Sequence, residues 1–317
     1  MTGLPADWLR PLGGTGLTVS MLCAGGGPLG SMPGNFGYDV PAERGIDTVR
    51  QVLDSPITFL DTSNSYSEGE SERRIGTALA RAGGLPAGFV LATKVDRGPG
   101  ADFSAARIRR SLEESLERLG LDRVELLHLH DPEHITFEEG MAEGGPVREL
   151  VRIREEGLAA HLGVAGGPVD LMRQYVETGV FEALITHNRF TLVDRSADEL
   201  LTTAHDRGVA VLNAAVYGGG LLARGASATT RYAYREAPAP VLDAVRAIEA
   251  VCARYGVPLG TAAVQFSTRD PRVTSTVVGF SRPERVAEAV EQATAPVPDE
   301  LWAEIDRLVP DPQHWLH

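Results

Sequence analysis

The sequence predicts a (β/α)8 barrel that spans residues 1–317 as a single domain, and two observations support this. Eight short, nearly continuous apolar runs alternate with segments of helical periodicity. No low-complexity tract or long linker divides the chain. Parallel strands covered by helices on both faces have this continuous apolar character. Eight strand–helix units in a chain of this length favour a closed barrel over the alternative, a doubly wound open sheet.

Each predicted strand has about the length of a buried strand. The runs are residues 19–25, 57–62, 89–94, 124–130, 160–166, 183–188, 209–215 and 275–280. Between them apolar residues recur at helical spacing, as at Ile108, Leu112, Leu116 and Leu119. Several of these helices end at a glycine. The opening "LRPLGGTGLTVS" predicts a β-hairpin across the bottom of the barrel, and extra helices are expected after strands seven and eight.

Composition excludes several classes of partner. The formal net charge is -13 and the basic residues form no clustered stripe, so we expect no nucleic-acid partner. No stretch approaches the roughly 18 apolar residues that a membrane helix needs. Cys23 and Cys252 lie far apart and make neither a metal-binding spacing nor a disulfide framework. We therefore expect a cytoplasmic protein with a small-molecule ligand and no bound metal.

Polar residues stand at the ends of three neighbouring predicted strands. Asp61 ends the second strand, Lys94 the third and His130 the fourth, and Tyr66 follows in the loop after Asp61. Lys94 is the only lysine among 30 basic residues. Since barrel active sites are built at the C-terminal ends of the strands, these four side chains should converge.

This combination favours proton transfer to a carbonyl oxygen. We expect Asp61 to pair with Lys94, and the Lys94 ammonium to lie against the Tyr66 hydroxyl. A nearby cation favours the phenolate, so the sequence predicts a lowered pKa for Tyr66 and proton exchange near neutrality. His130 would then fix the carbonyl oxygen. A compact ammonium suits this position better than a guanidinium.

The segments "FLDTSNSYSEGESERRIGTAL", "LATK" and "VELLHLHDP" resemble the signature blocks of the aldo-keto reductase superfamily. The resemblance covers nearly the whole chain, and residues 213–225 and 247–290 are most similar to the aldose 1-dehydrogenase branch, which acts on fucose, galactose and related sugars. It implies NAD(P)-dependent hydride transfer between nicotinamide and a carbonyl or lactol carbon. It also implies that Asp61, Tyr66, Lys94 and His130 are the catalytic tetrad, with Tyr66 as acid in reduction and as base in oxidation. The expected substrate is an aldose or a small aldehyde or ketone, with reduction of a non-sugar carbonyl metabolite as the alternative.

The resemblance also implies a cofactor site. Ala165 and His187 take the positions where the family commonly has a serine and a glutamine against the nicotinamide carboxamide. Tyr217 is the nearest aromatic candidate for stacking, with Gly218 and Leu221 close to it in sequence.

At the phosphate end, the segment "GFSRPERVAEA" opens a helix, whose N-terminus favours an anion. The residues assigned to this end are Gly279, Arg282, Arg285 and Glu288. Arg282 and Arg285 could clamp the extra phosphate of NADP, so we expect NADP, with NAD as the alternative.

Two motifs admit other interpretations. Gly25 to Gly30 satisfies G-x-G-x-x-G, but a dinucleotide fingerprint must open a helix, whereas this run contains Pro28 and leads into turn-formers. His128 and His130 share one face of a strand and could ligate a metal in a barrel-type hydrolase. A third alternative is a regulatory subunit that binds the cofactor without turnover.

The substrate pocket is expected to be walled by loops. These are the first loop with Phe36 and Tyr38, residues 131–134, the long loop with Arg231, Tyr232 and Tyr234, and the C-terminal tail. Trp315 in that tail could close over a substrate or pack on the barrel wall.

Overall fold

The structure is a computed structural model that describes residues 3–316, apart from the side chains of Asn35 and Phe36. The expected contribution of Phe36 to the substrate wall therefore lies outside the described residues.

Eight parallel strands form the closed barrel that the sequence predicts. In chain order the strands are β1 (Leu9–Pro11), β2 (Thr18–Ser20), β3 (Leu22–Gly25), β4 (Phe59–Asp61), β5 (Val90–Val95), β6 (Val124–His130), β7 (Ala159–Ala165), β8 (Ala183–His187), β9 (Ala210–Ala214), β10 (Arg231–Tyr232), β11 (Arg235–Glu236) and β12 (Val273–Gly279). The barrel order is β3 to β9 followed by β12, which pairs with both β9 and β3. The predicted N-terminal hairpin is β1–β2, and β10–β11 form a second hairpin inside the long loop after β9.

Helices surround this barrel. They are α1 (Pro33–Phe36), α2 (Ala42–Leu53), α3 (Glu70–Ala82), α4 (Ala105–Leu119), α5 (Phe137–Met141), α6 (Pro146–Glu155), α7 (Val169–Glu177), α8 (Asp198–Asp206), α9 (Leu221–Arg224), α10 (Ala239–Arg254), α11 (Leu259–Thr268), α12 (Glu284–Thr294) and α13 (Asp299–Asp306). The extra helices expected after the seventh and eighth barrel strands are present as α10 and α13. None of the described helices combines the length and apolar character that crossing a membrane requires.

The local sequence accounts for the way α4 packs beside the site. Its buried face carries Ile108 and Leu112 at helical spacing, and Ser104 caps its N-terminus by accepting a hydrogen bond from the Arg107 N–H. Helix α3 can approach α4 closely because residue 76 is glycine. A Cβ there would lie 2.1 Å from the Arg118 carbonyl oxygen. This close contact fixes the middle of α3 against the end of α4.

The Gly25–Gly30 run does not open a helix that could bind a pyrophosphate. It ends β3 and forms a short 3-10 turn over Gly27–Gly30 that lines the barrel mouth. The dinucleotide fingerprint is thus absent from this position, as the turn-forming residues predict.

Candidate active site

The strand ends bring three of the predicted residues together at the mouth of the barrel. Asp61 is the last residue of β4, Lys94 lies near the end of β5, and His130 is the last residue of β6. Tyr66 reaches the same place from the loop after β4, where its ring stands edge-on to the His130 ring with centroids 5.7 Å apart. All four side chains line one cavity of about 810 Å3.

The Lys94 ammonium is the centre of this group and is only 1% exposed. Its Nζ donates to Asp61 Oδ2 and to the Thr62 carbonyl oxygen, both at 2.6 Å, and to Tyr66 Oη at 3.1 Å. Burial alone would lower the pKa of Lys94, but Asp61 and Tyr66 raise it above its usual value. Lys94 is therefore a permanent cation beneath the phenol.

Tyr66 differs from the sequence-based expectation in its acidity. Burial raises the pKa of Tyr66 to about 12, and the opposing effect of Lys94 is smaller. The expectation of a lowered pKa is thus wrong, because the desolvation of a phenolate outweighs one adjacent ammonium that Asp61 already neutralises. At neutral pH the resting Tyr66 is therefore a phenol, the form that can donate a proton.

His130 is held by an acidic residue that the sequence reasoning missed, Asp96. The Asp96 Oδ1 atom lies 2.7 Å from His130 Nδ1, and its Oδ2 accepts from Ser63 Oγ at 2.5 Å and from the Ser65 N–H at 2.9 Å. Burial disfavours a charged imidazole, yet Asp96 raises the pKa of His130 above its usual value. One signal could have found Asp96: it follows Lys94 by two residues in an extended segment, so both side chains point to the same face.

The loop that carries Tyr66 is fixed from behind by charged side chains. Its residues Ser67, Glu68 and Gly69 all have positive φ angles, of 52°, 55° and 87°. Arg118 donates to the Asn64 carbonyl oxygen at 2.9 Å, and the same guanidinium would touch any Cβ placed at residue 69. Glycine is required there both for its φ angle and for this contact. The position of the Tyr66 hydroxyl therefore depends on this support from α4.

The cavity also reaches most of the predicted cofactor residues. Its walls include Ala165, His187, Tyr217, Gly279, Arg282, Arg285 and Glu288. Gly218 and Leu221 do not line it, since Leu221 is buried in the core beside the barrel and Gly218 packs on the Tyr232 ring. They support the wall without facing the cavity.

His187 presents a hydrogen-bond donor to the cavity. The Asn188 side-chain amide nitrogen lies 3.1 Å from His187 Nδ1 and donates to it, which leaves the ring proton on Nε2. Burial, reinforced by Arg189, lowers the pKa of His187 to about 4. The ring is therefore neutral at physiological pH, and its Nε2–H can serve the role of an amide donor.

The far end of the cavity suits an anionic group. Arg282 and Arg285 stand at the start of α12, and Glu288 lies 3.8 Å and 3.2 Å from their guanidinium groups. Both arginines are about half-exposed, so these ion pairs are weak and exchangeable. On the same wall the Tyr217 hydroxyl donates to Gln292 on α12 at 2.7 Å. Two arginines at one end of the cavity and the Tyr217 ring along its wall fit an elongated dinucleotide.

Of the residues expected at the substrate side, some line the cavity and others lie elsewhere. Tyr38, Asp131 and Tyr234 line the cavity, as expected. Tyr232 turns inward, where its hydroxyl donates to the Asn188 carbonyl oxygen at 2.6 Å. Trp315 lies in a separate depression beside α8, so the tail packs on the barrel wall instead of closing over the cavity. Arg231 is exposed and donates to the Tyr234 carbonyl oxygen.

The metal-site alternative finds no support in the geometry. His128 is fully buried, and its ring fits because residue 163 is glycine, where a Cβ would lie 2.2 Å from Nδ1. Burial and the charge of Lys94 lower the pKa of His128 well below its usual value. Among residues 3–316, no group of three or more His, Cys, Asp or Glu side chains could hold a metal ion.

A buried ammonium against a phenol, with an imidazole beside them at the mouth of a (β/α)8 barrel, defines an enzyme site that exchanges a proton with a substrate oxygen. The chain belongs to the aldo/keto reductase family, and the family match covers residues 22–310.

Its relatives include dehydrogenases of sugars. D-threo-aldose 1-dehydrogenase from a Pseudomonas species is 32% identical over 82% of this chain and 86% of its own length. L-galactose dehydrogenase from Arabidopsis thaliana is 32% identical over 90% of this chain and 88% of its own. Pyridoxal 4-dehydrogenase from Microbacterium luteolum is 28% identical over 94% and 96%. A solved aldo-keto reductase from Bacillus halodurans, in its holo form, shares the fold with a TM-score of 0.78 at 23% identity, over 96% of both chains.

Proposed function

We propose that this protein is an NADP-dependent aldose dehydrogenase that also reduces aldehydes in the reverse direction. The observation that carries the proposal is the hydrogen-bonded array of Asp61, Lys94 and Tyr66 beside His130 in one cavity. The two relatives at 32% identity, both named as dehydrogenases of sugars, support an aldose substrate.

Each residue of the array has a separate task. A bound nicotinamide supplies or accepts the hydride. In reduction, Tyr66 is the general acid that protonates the substrate oxygen, and the Lys94 ammonium 3.1 Å away stabilises the negative charge left on the phenol. Asp61 holds and charge-balances Lys94. His130, whose ring stands edge-on to that of Tyr66, orients the substrate oxygen.

The residues along the cavity would hold the cofactor. We expect the neutral His187 to donate from Nε2 to the nicotinamide carboxamide, and Ala165 to leave room for that group. The Tyr217 ring supplies a flat wall for the nicotinamide, with Gly218 and Leu221 shaping the turn behind it. Gly279 lets the chain approach the phosphates closely at the end of β12.

The preference for NADP rests on Arg282 and Arg285. A phosphate accepts two parallel hydrogen bonds from a guanidinium, which is a stronger interaction than the exposed pairs with Glu288. We expect Arg285→Ala to lower kcat/KM for NADP by about 10- to 100-fold, the equivalent of a hydrogen bond to a charged group, and to change kcat/KM for NAD far less. Steady-state assays with both cofactors measure this, with Arg50→Ala on the exposed surface of α2 as the matched control. Equal losses with NADP and NAD would contradict the phosphate assignment.

Charged and aromatic side chains line the part of the cavity that we assign to the substrate. Arg44, Asp39 and Asp131 line it together with Tyr38 and Tyr234. Groups of both charges around an aromatic wall suit a molecule with several hydroxyl groups. The buried free thiols of Cys23 and Cys252 support a reducing compartment, and we place the enzyme in the cytoplasm.

Absorbance at 340 nm, followed in both directions, tests the function. One arm combines NADP or NAD with aldoses including fucose and galactose, and the other combines the reduced cofactors with simple aldehydes and ketones. We expect aldose-dependent formation of NADPH. Turnover confined to aldehydes or ketones would replace the aldose assignment with a carbonyl reductase. Cofactor binding by fluorescence quenching without turnover in either arm would favour the regulatory subunit.

A further inference from the structure

Glu72 is a buried acid that the proposed mechanism does not use. It lies in the first turn of α3, is fully buried, and does not belong to the described lining of the cavity. Its Oε1 accepts a hydrogen bond from Thr93 Oγ1 at 2.6 Å, and its Oε2 accepts one from Arg118 Nη1 at 3.1 Å. Burial raises the pKa of Glu72, and these two donors together with Ser115 oppose the increase. Because desolvation offsets much of the attraction in a buried ion pair, stability alone is a weak reason for an acid at this position.

The bond to Thr93 ties Glu72 to the strand that carries Lys94. Thr93 directly precedes Lys94 in β5, and successive side chains of a strand point to opposite faces. Lys94 therefore points into the mouth of the barrel, while Thr93 points outward to Glu72. Since Thr93 and Lys94 share one stretch of backbone, the bond fixes the start of α3 relative to the backbone from which the ammonium extends.

Arg118 connects Glu72 to the loop between β4 and α3. The Nη1 atom that donates to Glu72 also donates to the Asn64 carbonyl oxygen at 2.9 Å. The same guanidinium occupies the space beside Gly69 at the end of this loop. Glu114, another acidic neighbour of Arg118, is farther away, at 3.7 Å. The arginine that holds the loop is therefore itself held by Glu72.

We propose that Glu72 is a positioning residue that fixes the Tyr66 hydroxyl against the Lys94 ammonium. The proposal rests on the proposed function, in which the phenol transfers the proton and the ammonium stabilises its charge. One carboxylate oxygen holds the backbone next to Lys94, and the other holds, through Arg118, the loop that carries Tyr66. The distance of 3.1 Å between Lys94 Nζ and Tyr66 Oη is thus maintained from the outer side of the barrel. Glu72 acts only through these neighbours.

A small displacement of the proton donor lowers the rate of the reaction more than it lowers the binding of ligands. Misplacing a reacting group by about 1 Å can cost on the order of 10²-fold in rate. The residues assigned to the cofactor lie at the ends of β7, β8, β9 and β12, so a change at Glu72 leaves their contacts in place. The expected signature is therefore a fall in kcat with little change in KM for either ligand.

Hydrogen exchange of the whole protein, followed by mass spectrometry, tests the anchoring of the loop without turnover. We expect Glu72→Gln to speed the exchange of backbone amides in residues 62–71 by about 10-fold or more. Glutamine keeps the size of the side chain, but it accepts hydrogen bonds on one atom only and carries no charge for Arg118. Glu149→Gln is the matched control, because Glu149 is also buried and also pairs with an arginine of α4, Arg109, at 2.6 Å. This control should leave the exchange of residues 62–71 unchanged.

The 340 nm assay measures the effect of the same variants on the reaction. We expect Glu72→Gln to lower kcat by about 10- to 100-fold in both directions and to change KM for cofactor and substrate by less than about 3-fold. The solvent isotope effect on kcat should increase, because proton transfer becomes slower relative to the other steps. Partial unfolding would instead lower the apparent kcat in proportion to the folded fraction and leave the isotope effect unchanged. Glu149→Gln should keep the wild-type values.

Thr93→Val keeps the test decisive if Glu72→Gln fails to fold. Valine has nearly the shape of threonine, and the variant loses only the hydroxyl that donates to Glu72. We expect the same changes at a smaller size, with a fall in kcat of about 3- to 10-fold, the equivalent of one hydrogen bond.

Two results would overturn the role of Glu72. The first is unchanged exchange of residues 62–71 in the folded variant, and the second is faster exchange with kcat as in the wild type. Failure of the proposed function has a different signature, namely a wild-type protein that binds the nicotinamide cofactor and turns over neither aldoses nor carbonyl compounds. In that case the exchange measurement still decides whether Glu72 holds the loop that carries Tyr66.

Discussion

Replacement of Tyr66 with phenylalanine is expected to lower kcat on the order of 10³-fold in both directions. The variant loses the hydroxyl that lies 3.1 Å from Lys94 Nζ, while the ring and the loop around it keep their volume. Steady-state rates at saturating cofactor measure the loss. Fluorescence quenching should show nearly unchanged affinity for the nicotinamide cofactor, because the hydroxyl belongs to proton transfer.

Tyr175→Phe is the matched control for this variant. Its hydroxyl is buried and has no hydrogen-bond partner among the residues that the structure describes. The ring packs between Phe137 and Phe181, away from the cavity. Deleting this hydroxyl should leave turnover unchanged. Turnover of Tyr66→Phe at the wild-type rate would refute the assignment of Tyr66 as the general acid.

Replacement of Lys94 with methionine is expected to reduce both activity and stability. It removes the cation that stabilises the phenolate and leaves the Asp61 carboxylate buried without a charged partner. Loss of one member of a buried pair costs about 3–5 kcal/mol in the free energy of unfolding at neutral pH. Chemical denaturation measures this cost, and the 340 nm assay measures the loss of turnover.

The pH dependence of this cost has a defined sign. Burial already raises the pKa of Asp61, and removal of Lys94 takes away the charge that opposes this effect. A carboxyl whose folded-state pKa is raised binds its proton more tightly in the folded state, so the stability of the variant should approach that of the wild type as the pH falls. The double variant Asp61→Asn with Lys94→Met should recover stability at neutral pH without recovering activity. A Lys94→Met protein as stable as the wild type at neutral pH would show that the pair is not needed for folding.

The sequence predicted the barrel and the convergence of its strand ends for a simple physical reason. Parallel barrel strands are buried on both faces, so they read as continuous apolar runs, and a polar residue at the end of such a run is conspicuous. Asp61, Lys94 and His130 each have this position. These three residues come into contact because parallel strands all end at the same edge of the barrel.

Contacts between loops could not be predicted in this way. Asp96 looks like an ordinary loop acid, and its partner His130 lies 34 residues further along the chain. Its role depends on how the loops after β4 and β5 fold over each other. Tyr232 was expected at the substrate wall. Its hydroxyl instead makes hydrogen bonds with Thr191 and with the Asn188 carbonyl oxygen, and these bonds decide which face of the β10–β11 hairpin turns inward.

The acidity of Tyr66 shows a similar limit. A sequence indicates which charges are near one another, and Lys94 is indeed beside the phenol. The net pKa depends on how much water is excluded and on whether the cation is already neutralised. Asp61 neutralises the Lys94 cation, and burial of the phenol then raises the pKa of Tyr66.

The burial of Lys94 has a practical consequence for covalent labelling. A chain with one lysine has one side-chain amine, and here that amine is 1% exposed and engaged by three oxygen atoms. Reagents that acylate side-chain amines will therefore find no target on the folded surface. The rate at which such a reagent labels Lys94 should therefore measure how often the mouth of the barrel opens.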